Sequence, residues 1–405
     1  MKLVEGHPSD HGFRVAVLQI TARRDYEIAR SLYRYGALAG MATDLYLPNW
    51  ARPFGKGRLG RYAISELPPE KVYGAPLVGL LYRAAMWIMG PFSAAPHIWA
   101  TKALTGATIA RLKRAKPNVV FGLDTGALEL FRSFDTVSPR PKLVLEQCVA
   151  PRASQYRMLE RLSDAMPSEM VRKRKANVLK LKVREEEEWR LADLVISPSD
   201  YVTEELVKAG CPAAKIHFVP YGYTPKTPAR KRDYALRTMP LRVLFVGAID
   251  YRKGVHDLAV VAERLGDRVK VEALGKIVVD KKTAARLGKS IRLMGPQSFG
   301  VVQSAYQNAD VLILPSYLEG SAMVVYEAMS FGLPCLVTRQ TGAIVTDAVD
   351  GFVVEAGDID AIQGIFEQIL ADPGKLQDVS ERSVEAAGRV SAELYGDRLI
   401  RAIAS

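Results

Sequence analysis

Residues 310–339 read DVLILPSYLEGSAMVVYEAMSFGLPCLVTR, and their pattern sets the architecture of the region around them. The apolar run DVLILPS ends at Ser316, and a short loop containing Gly320 follows. Apolar residues at helical spacing (Val324, Val325, Ala328, Met329) then lead through Gly332 to a second run, PCLVTR. Strands buried on both faces, joined by a helix, form the repeating unit of a parallel sheet. Two acids stand out, Glu319 in the loop and Glu327 beside the apolar helix face. A carboxylate buried without donors is costly. Ribose hydroxyls would satisfy Glu327, and so would a neighbouring Lys or Arg on a helix surface. Glu319 suits a ligand contact, and equally a helix N-terminal acid favoured by the macrodipole.

The same rhythm extends in both directions. Downstream of residue 240, strand patterns fall at 242–249, 269–275, 290–295, 310–316, 334–339 and 351–357, alternating with helical patterns at 254–266, 297–308, 321–331 and 358–371. Upstream, strand patterns fall at 13–20, 118–124, 142–147, 194–199 and 216–220, with helical patterns such as DYEIARSLYRYGALAG (25–40) between them. The segment 221–241, rich in Pro and basic residues and without a period, reads as an interdomain linker. Two β/α halves joined by a linker predict two Rossmann-like domains facing a central cleft. Ligands in such sheets bind beyond the carboxyl ends of strands, which directs attention to the loops at 247–254, 275–276, 295–297 and 316–321.

Composition sets outer limits. The 405 residues are 48% apolar and 25% charged, as in a water-soluble globular chain with room for two cores. Three widely spaced cysteines (Cys148, Cys211, Cys335) fit a reducing compartment rather than a disulfide framework or a zinc site. The N-terminal sequence lacks the basic-then-apolar order of a signal peptide. The apolar stretch 74–100 is broken by Pro76, Arg83 and Gly90-Pro91, too short to span a bilayer; a core helix is its plainer reading and a membrane-touching helix the other. Charge is uneven: residues 1–240 hold 38 Lys/Arg against 23 Asp/Glu, residues 241–405 hold 18 against 21. Basic runs at 51–62, 111–116 and 171–184 would attract an anionic surface or phosphorylated ligands, or simply keep a surface solvated. No nucleic-acid-binding motif accompanies them.

In the loop GAIDYRKGVHDL (247–258), Gly247 closes a strand, and Arg252 and Lys253 precede Gly254 at a helix start. Adjacent cations at a helix N-terminus suit a diphosphate, though a solvated Arg-Lys turn would look the same.

With these residues in view, the chain resembles the retaining glycosyltransferases of family 4 with the GT-B fold. EGSAMVVYEAMSFGLP resembles their E-x7-E segment, RVLFVGAIDYRKGVHDL their strand–Gly–loop–Lys-Gly segment, and 192–223 the end of their N-terminal domain; the likeness covers roughly 190–375. It implies an acceptor-binding domain over 1–228, a donor-binding domain over 229–391, and a C-terminal helix, 392–405, crossing back to the first. The resemblance assigns Arg252 and Lys253 to the donor diphosphate and Glu319 to the transferred sugar, with these three as the catalytic group. It places Gly247, the amides of Gly320, Ser321, Ala322 and Met323, and Ser199 around the donor, Glu327 on the ribose, and Gly295 and Pro296 near the base. On the acceptor side Asp124, Gln147 and Cys148 are the candidates.

The implied activity is retaining transfer from a nucleotide-diphosphate sugar, without metal or other cofactor, to a saccharide or lipid-linked acceptor in bacterial cell-envelope polysaccharide or glycolipid synthesis. The implied place is the cytoplasm, peripheral on the anionic inner face of the membrane. Asp358-Ile359-Asp360 has the spacing of a metal-binding acid pair but begins a helical pattern, where Asp358 reads as an N-cap; His7 and His11 lack a third ligand nearby. Departures from the family are Ala248 where relatives carry Arg, Thr21–Asp25 where they carry a Gly pair, and Gln147-Cys148 where they carry His. These leave open a non-catalytic nucleotide-sugar or glycan binder that scaffolds a biosynthetic complex.

Overall fold

The computed structural model describes residues 12–47, 62, 66–90, 92–225, 232–234 and 239–405. The first half forms a seven-stranded parallel sheet from β1 (Val15–Gln19), β2 (Leu38–Thr43), β3 (Val72–Gly74), β4 (Val119–Leu123), β5 (Lys142–Glu146), β6 (Leu194–Ser197) and β7 (Ile216–Phe218), in the order β3-β2-β1-β4-β5-β6-β7. The second half forms a six-stranded parallel sheet from β8 (Leu241–Val246), β9 (Val269–Leu274), β10 (Arg292–Gly295), β11 (Val311–Leu314), β12 (Cys335–Thr338) and β13 (Phe352–Val354), ordered β10-β9-β8-β11-β12-β13. Helices α1 (Glu27–Arg34), α2 (Pro76–Met89), α3 (Ala94–Arg114), α4 (Leu128–Asp135), α5 (Arg152–Arg161), α6 (Ser168–Leu191) and α7 (Asp200–Lys208) serve the first sheet. Helices α8 (Val255–Leu265), α9 (Lys281–Leu287), α10 (Phe299–Asn308), α11 (Met323–Ser330), α12 (Ile359–Ala371) and α13 (Lys375–Gly388) serve the second, and α14 (Ala392–Ala404) ends the chain.

Each sheet reverses its strand order once, between β1 and β4 in the first and between β8 and β11 in the second. Connections leave opposite faces at these points, so the loops after the paired strands splay apart and leave a crevice. The loops so placed are 20–26 and 124–127 in one domain, 247–254 and 315–322 in the other.

Several expectations need correction. The helical pattern 25–40 stops at Arg34; Gly36, at φ +70°, turns the chain into β2, whose small residues pair in parallel with β1. Tertiary pairing overrides helical propensity there. The stretch 74–100 is no core helix: in α2 only Gly79 and Tyr82 are buried, while Leu77, Leu80, Leu81, Trp87 and Ile88 face solvent. The segment read as a linker is anchored in part. Tyr234 is fully buried, and Arg232 donates to the carbonyls of Ala309 (2.7 Å) and Phe331 (3.2 Å).

Helix α6 positions the first domain's loops. Its outer face carries exposed Arg172, Lys173 and Lys180, whereas Glu185 and Glu188 turn inward and are fully buried. Glu188 accepts from the amides of Thr125 (2.6 Å), Ala127 (2.9 Å) and Leu128 (3.0 Å), satisfying the orphan donors that open α4. Glu185 accepts from the Arg152 amide (2.7 Å), the first of α5, and from Gln147 Nε2 (2.7 Å). The C-terminal helix α14 packs on the first domain: Arg24 is sandwiched between the rings of Tyr221 (3.7 Å) and Tyr395 (4.3 Å), and Lys142 Nζ donates to the Ile403 carbonyl (2.9 Å).

Removing the Glu188 carboxylate strands three amides. We expect Glu188→Ala to cost about 3 kcal/mol of stability, measured as a lower urea midpoint at unchanged slope; an unshifted midpoint contradicts this role.

Candidate active site

In the second domain the two switch-point loops are bound to each other. Gly254 takes φ +68°, and a Cβ there would lie 2.0 Å from the Pro315 carbonyl oxygen, so only glycine permits the approach. The Tyr317 amide donates to the Arg252 carbonyl (2.8 Å), and Arg252 Nη1 donates to the Leu318 carbonyl (2.6 Å). This sets both cations against Glu319: Arg252 Nη1 lies 2.8 Å from Oε2 and Lys253 Nζ 2.6 Å from Oε1. Burial alone would raise the Glu319 pKa, but the two positive charges outweigh it and hold it at about 2. Two cations against one carboxylate leave a net positive charge at the mouth of the crevice. Gly247, which ends β8, borders the Lys253 side chain: a Cβ there would lie 3.2 Å from Lys253 Cδ.

Beyond Glu319 the amides of Gly320, Ser321 and Met323 have no hydrogen-bond partner among the described residues. The Ala322 amide, expected to face a ligand, instead donates to the Thr341 carbonyl (3.0 Å). The Ser321 hydroxyl pairs with Tyr326 Oη at 2.8 Å. Glu327 is the fifth residue of α11; its Oε2 accepts from Tyr306 Oη (2.8 Å), and no Lys or Arg pairs with it among the described residues. Burial raises its pKa. The surface-ion-pair reading of Glu327 therefore has no partner here. Gly295 and Pro296 close β10, with the Gly275 amide bonded to the Gly295 carbonyl (2.9 Å).

The domains meet at the same loop. A Cβ on Gly320 would lie 1.9 Å from the Cys148 carbonyl oxygen, and the Ala150 amide donates to the Glu319 carbonyl (3.2 Å). Ser199, expected among the donor contacts, accepts from the Val202 amide (3.2 Å) as the α7 cap and donates to the Gly320 carbonyl (2.6 Å). Its hydroxyl is thus a clip between domains. Arg174 of α6 and Asp250 form a second tie (3.1 Å).

On the first-domain side Asp124 is 2% exposed and fully engaged, by Arg23 Nη1 (3.3 Å), Arg152 Nη2 (3.0 Å) and the Cys148 amide (3.1 Å). Burial pushes its pKa up, but Arg23 and Arg152 prevail and lower it, so Asp124 organises cations rather than collecting protons. Gln147 is fully buried, its amide nitrogen donating to the Val149 carbonyl (2.9 Å) and Glu185 (2.7 Å) and its oxygen accepting from Trp189 Nε1 (3.0 Å). Burial pushes the Cys148 thiol well up, and the Cys148 backbone carbonyl is what faces Gly320.

Arg23, Arg152 and His97 were not foreseen from the sequence. The loop after β1 holds Thr21, Arg24, Asp25 and Tyr26 at φ +64°, +48°, +47° and +62°, an unusual run without glycine. Strained backbone clusters at binding sites, and this loop turns Arg23 toward Asp124. Its place after the first strand was the available signal. His97 Nε2 lies 3.1 Å from Thr125 Oγ1, and burial with the nearby Arg23 and Arg152 charges lowers its pKa to about 4, leaving it neutral.

Asp358 caps α12 by accepting from the Ala361 amide (2.9 Å), and Asp360 pairs with Arg264 (2.7 Å), so the D-x-D acids do not converge. His7 and His11, Trp50 and Phe54 lie outside the described residues.

Residues 226–386 match the model of the family described as "Glycosyl transferases group 1". A glycogen synthase of Mycobacterium tuberculosis is 28% identical over 152 residues, covering 35% of this chain and 36% of that protein. The capsular polysaccharide biosynthesis glycosyltransferase CapM of Staphylococcus aureus is 31% identical over 142 residues, covering 32% and 36%. The matches thus span about a third of these relatives. Among solved structures, Anabaena HepE in complex with UDP and glucose superposes with a TM-score of 0.61 at 15% identity over 96% of this chain and 98% of that one. By fold the chain follows the two-domain GT-B plan, and its residues 226–386 are similar to the group 1 glycosyl transferases.

Proposed function

We propose that the protein is a glycosyltransferase that takes a sugar from a nucleotide-diphosphate donor held in the second domain and passes it to an acceptor in the first. The observation that carries this reading is the Arg252–Glu319–Lys253 cluster at the switch point of the second sheet. A diphosphate placed against Arg252 and Lys253 meets a planar fork, a mobile point charge and the start of α8. As the glycosidic bond breaks, negative charge grows on the leaving diphosphate, and cations already fixed in place stabilise it without reorganising. Glu319, released in part by the incoming phosphates, faces the sugar hydroxyls. The free amides of Gly320, Ser321 and Met323 supply donors beside it. Glu327, whose partner among the described residues is the Tyr306 hydroxyl, grips the ribose.

Two finer features belong to the same proposal. Transfer retains the anomeric configuration: the Asp124 and Glu146 carboxylates on the opposite wall are tied up by Arg23, Arg152 and Arg24, so neither stands ready as a nucleophile or base. The clamp works without a divalent ion, because Arg252 and Lys253 occupy the place of one. The support for a membrane-bound acceptor in cell-envelope synthesis is α2. Leu77, Leu80, Leu81, Trp87 and Ile88 recur along one side of it at 68%, 60%, 49%, 88% and 75% exposure. Beside the C-terminal end of α2, the first two-thirds of α6 shows Arg172, Lys173 and Lys180 to solvent, with exposed Leu179 and Val183 among them. An apolar ridge beside cations suits the surface of an anionic bilayer. Among the described residues no helix is long and apolar enough to cross it.

Glu327→Ala is expected to fold normally and to lose about 2 kcal/mol of donor affinity, roughly thirtyfold in Kd; calorimetry across UDP-, GDP- and ADP-sugars reads this, and unchanged affinity sinks the ribose assignment. Slow release of nucleoside diphosphate without acceptor distinguishes an enzyme from a scaffold that only binds, and EDTA should leave that rate unchanged. Trp87→Asp with Ile88→Asp should abolish co-sedimentation with phosphatidylglycerol vesicles while preserving donor binding; equal sedimentation of wild type and variant contradicts docking through α2.

A further inference from the structure

A cavity of about 220 Å³ lies on the first-domain side of the cleft, between α2, α3, α5 and α6, and reaches Arg252. Its polar wall includes Arg23, Arg152, Arg174 and Arg252 with His97, Thr125, Gln155 and Asn177, and among the described residues no carboxylate lines it. The counter-charges sit behind the guanidinium groups: Asp124 serves both Arg23 and Arg152, Asp250 pairs with Arg174 at 3.1 Å, and Glu319 pairs with Arg252 at 2.8 Å. Glu185 is 4.0 Å from Arg152 Nε and makes no hydrogen bond to it; burial raises that carboxyl to about 7, which weakens its claim as a counter-ion.

Two donors behind this wall are unused. Arg152 Nε and Arg174 Nε are buried and have no hydrogen-bond partner among the described residues. Arg174 is only 8% exposed, and its guanidinium lies 3.9 Å over the Phe92 ring, which holds the plane of the fork in place. Burial shuts both N–H groups away from solvent, so what the cavity offers an anion is guanidinium charge, with Arg23 and Arg152 sharing the single carboxylate of Asp124. His97, neutral at physiological pH, adds a hydrogen-bonding nitrogen without cancelling the field. The wall also has an apolar part, Met86, Phe92, Leu159 and Leu181, and Met86 and Phe92 continue toward the exposed ridge of α2.

We propose that this cavity is a phosphate subsite: the acceptor is a phosphate ester whose phosphoryl oxygens are held by Arg23, Arg152 and Arg174, with its apolar part against Met86, Phe92 and Leu181. Phosphate offers several oxygens to converging planar forks, which a neutral hydroxyl acceptor does not. The same chemistry is presented by a lipid phosphate and by a soluble sugar or polyol phosphate. The inference rests on the reading of the cleft as a donor site facing an acceptor site.

The test uses the full chain with its donor site first filled by whichever of UDP, GDP or ADP binds. Calorimetry then follows octyl phosphate, glycerol 3-phosphate and octyl glucoside. Octyl phosphate should bind, octyl glucoside should not, and Arg152→Gln should weaken the phosphate probe at least tenfold. Arg23→Gln, at a partly exposed side chain, gives the same readout should the first variant melt early. Glycerol 3-phosphate binding as tightly as octyl phosphate assigns a soluble ester; weaker binding assigns a lipid ester. The proposal is overturned if neither phosphate probe binds, or if both variants bind them as wild type does. Nucleotide titrations on the same samples should be indifferent to both substitutions; a protein that binds no nucleotide counts against the donor reading instead.

Discussion

The Glu319 carboxylate, bridging Arg252 and Lys253 at 2.8 and 2.6 Å, joins the two loops on which the donor side depends. Those loops follow β8 and β11, the only adjacent strands of the second sheet whose connections diverge. Parallel topology thus fixes where a ligand can reach the backbone, and the proposed role of the ion cluster is to select a ligand of negative charge. Gly254 makes the arrangement possible by letting one loop press on the Pro315 carbonyl. Gly320 extends it across the cleft, since its missing side chain lets the second domain rest on the Cys148 backbone.

Much of this second domain was legible in the sequence because its signals are local. Strand runs such as DVLILPS have one period and one environment, and the predicted strands and helices there lie within a few residues of the observed ones. Arg252, Lys253 and Glu319 each had a bland explanation alone; the sheet order brings them together, and a linear reading infers that order only through the βαβ rhythm. Details that depend on hydrogen bonds between distant segments were not legible. The Ala322 amide is used by Thr341, and the Ser199 hydroxyl by Val202 and Gly320; nothing near either residue in sequence announces those partners.

The first domain was harder for a physical reason. Its strand β2 is built of small residues and the edge strand β3 is short, and tertiary pairing rather than propensity makes them strands. Its site depends on convergence over long separations: Arg23 and Arg152 meet on Asp124, more than a hundred and about thirty residues away respectively. The run of acids at 185–188 looks in sequence like a solvated helix face, yet Glu185 and Glu188 are the buried caps that hold α5 and α4 in register with the cleft. The apolar stretch at 76–89 misleads in the opposite sense. Its hydrophobicity suggests a core, and the fold leaves it outside, next to a cavity rich in arginine.

The account stands on the claim that the Arg252–Lys253 pair receives a diphosphate. Calorimetric titration of UDP, GDP and ADP into wild type, Lys253→Met and Arg252→Met measures this directly. The account predicts that one nucleotide binds wild type and that each substitution weakens it by tenfold or more, with the far-ultraviolet spectrum preserved. Equal nucleotide affinity in wild type and both variants would contradict it.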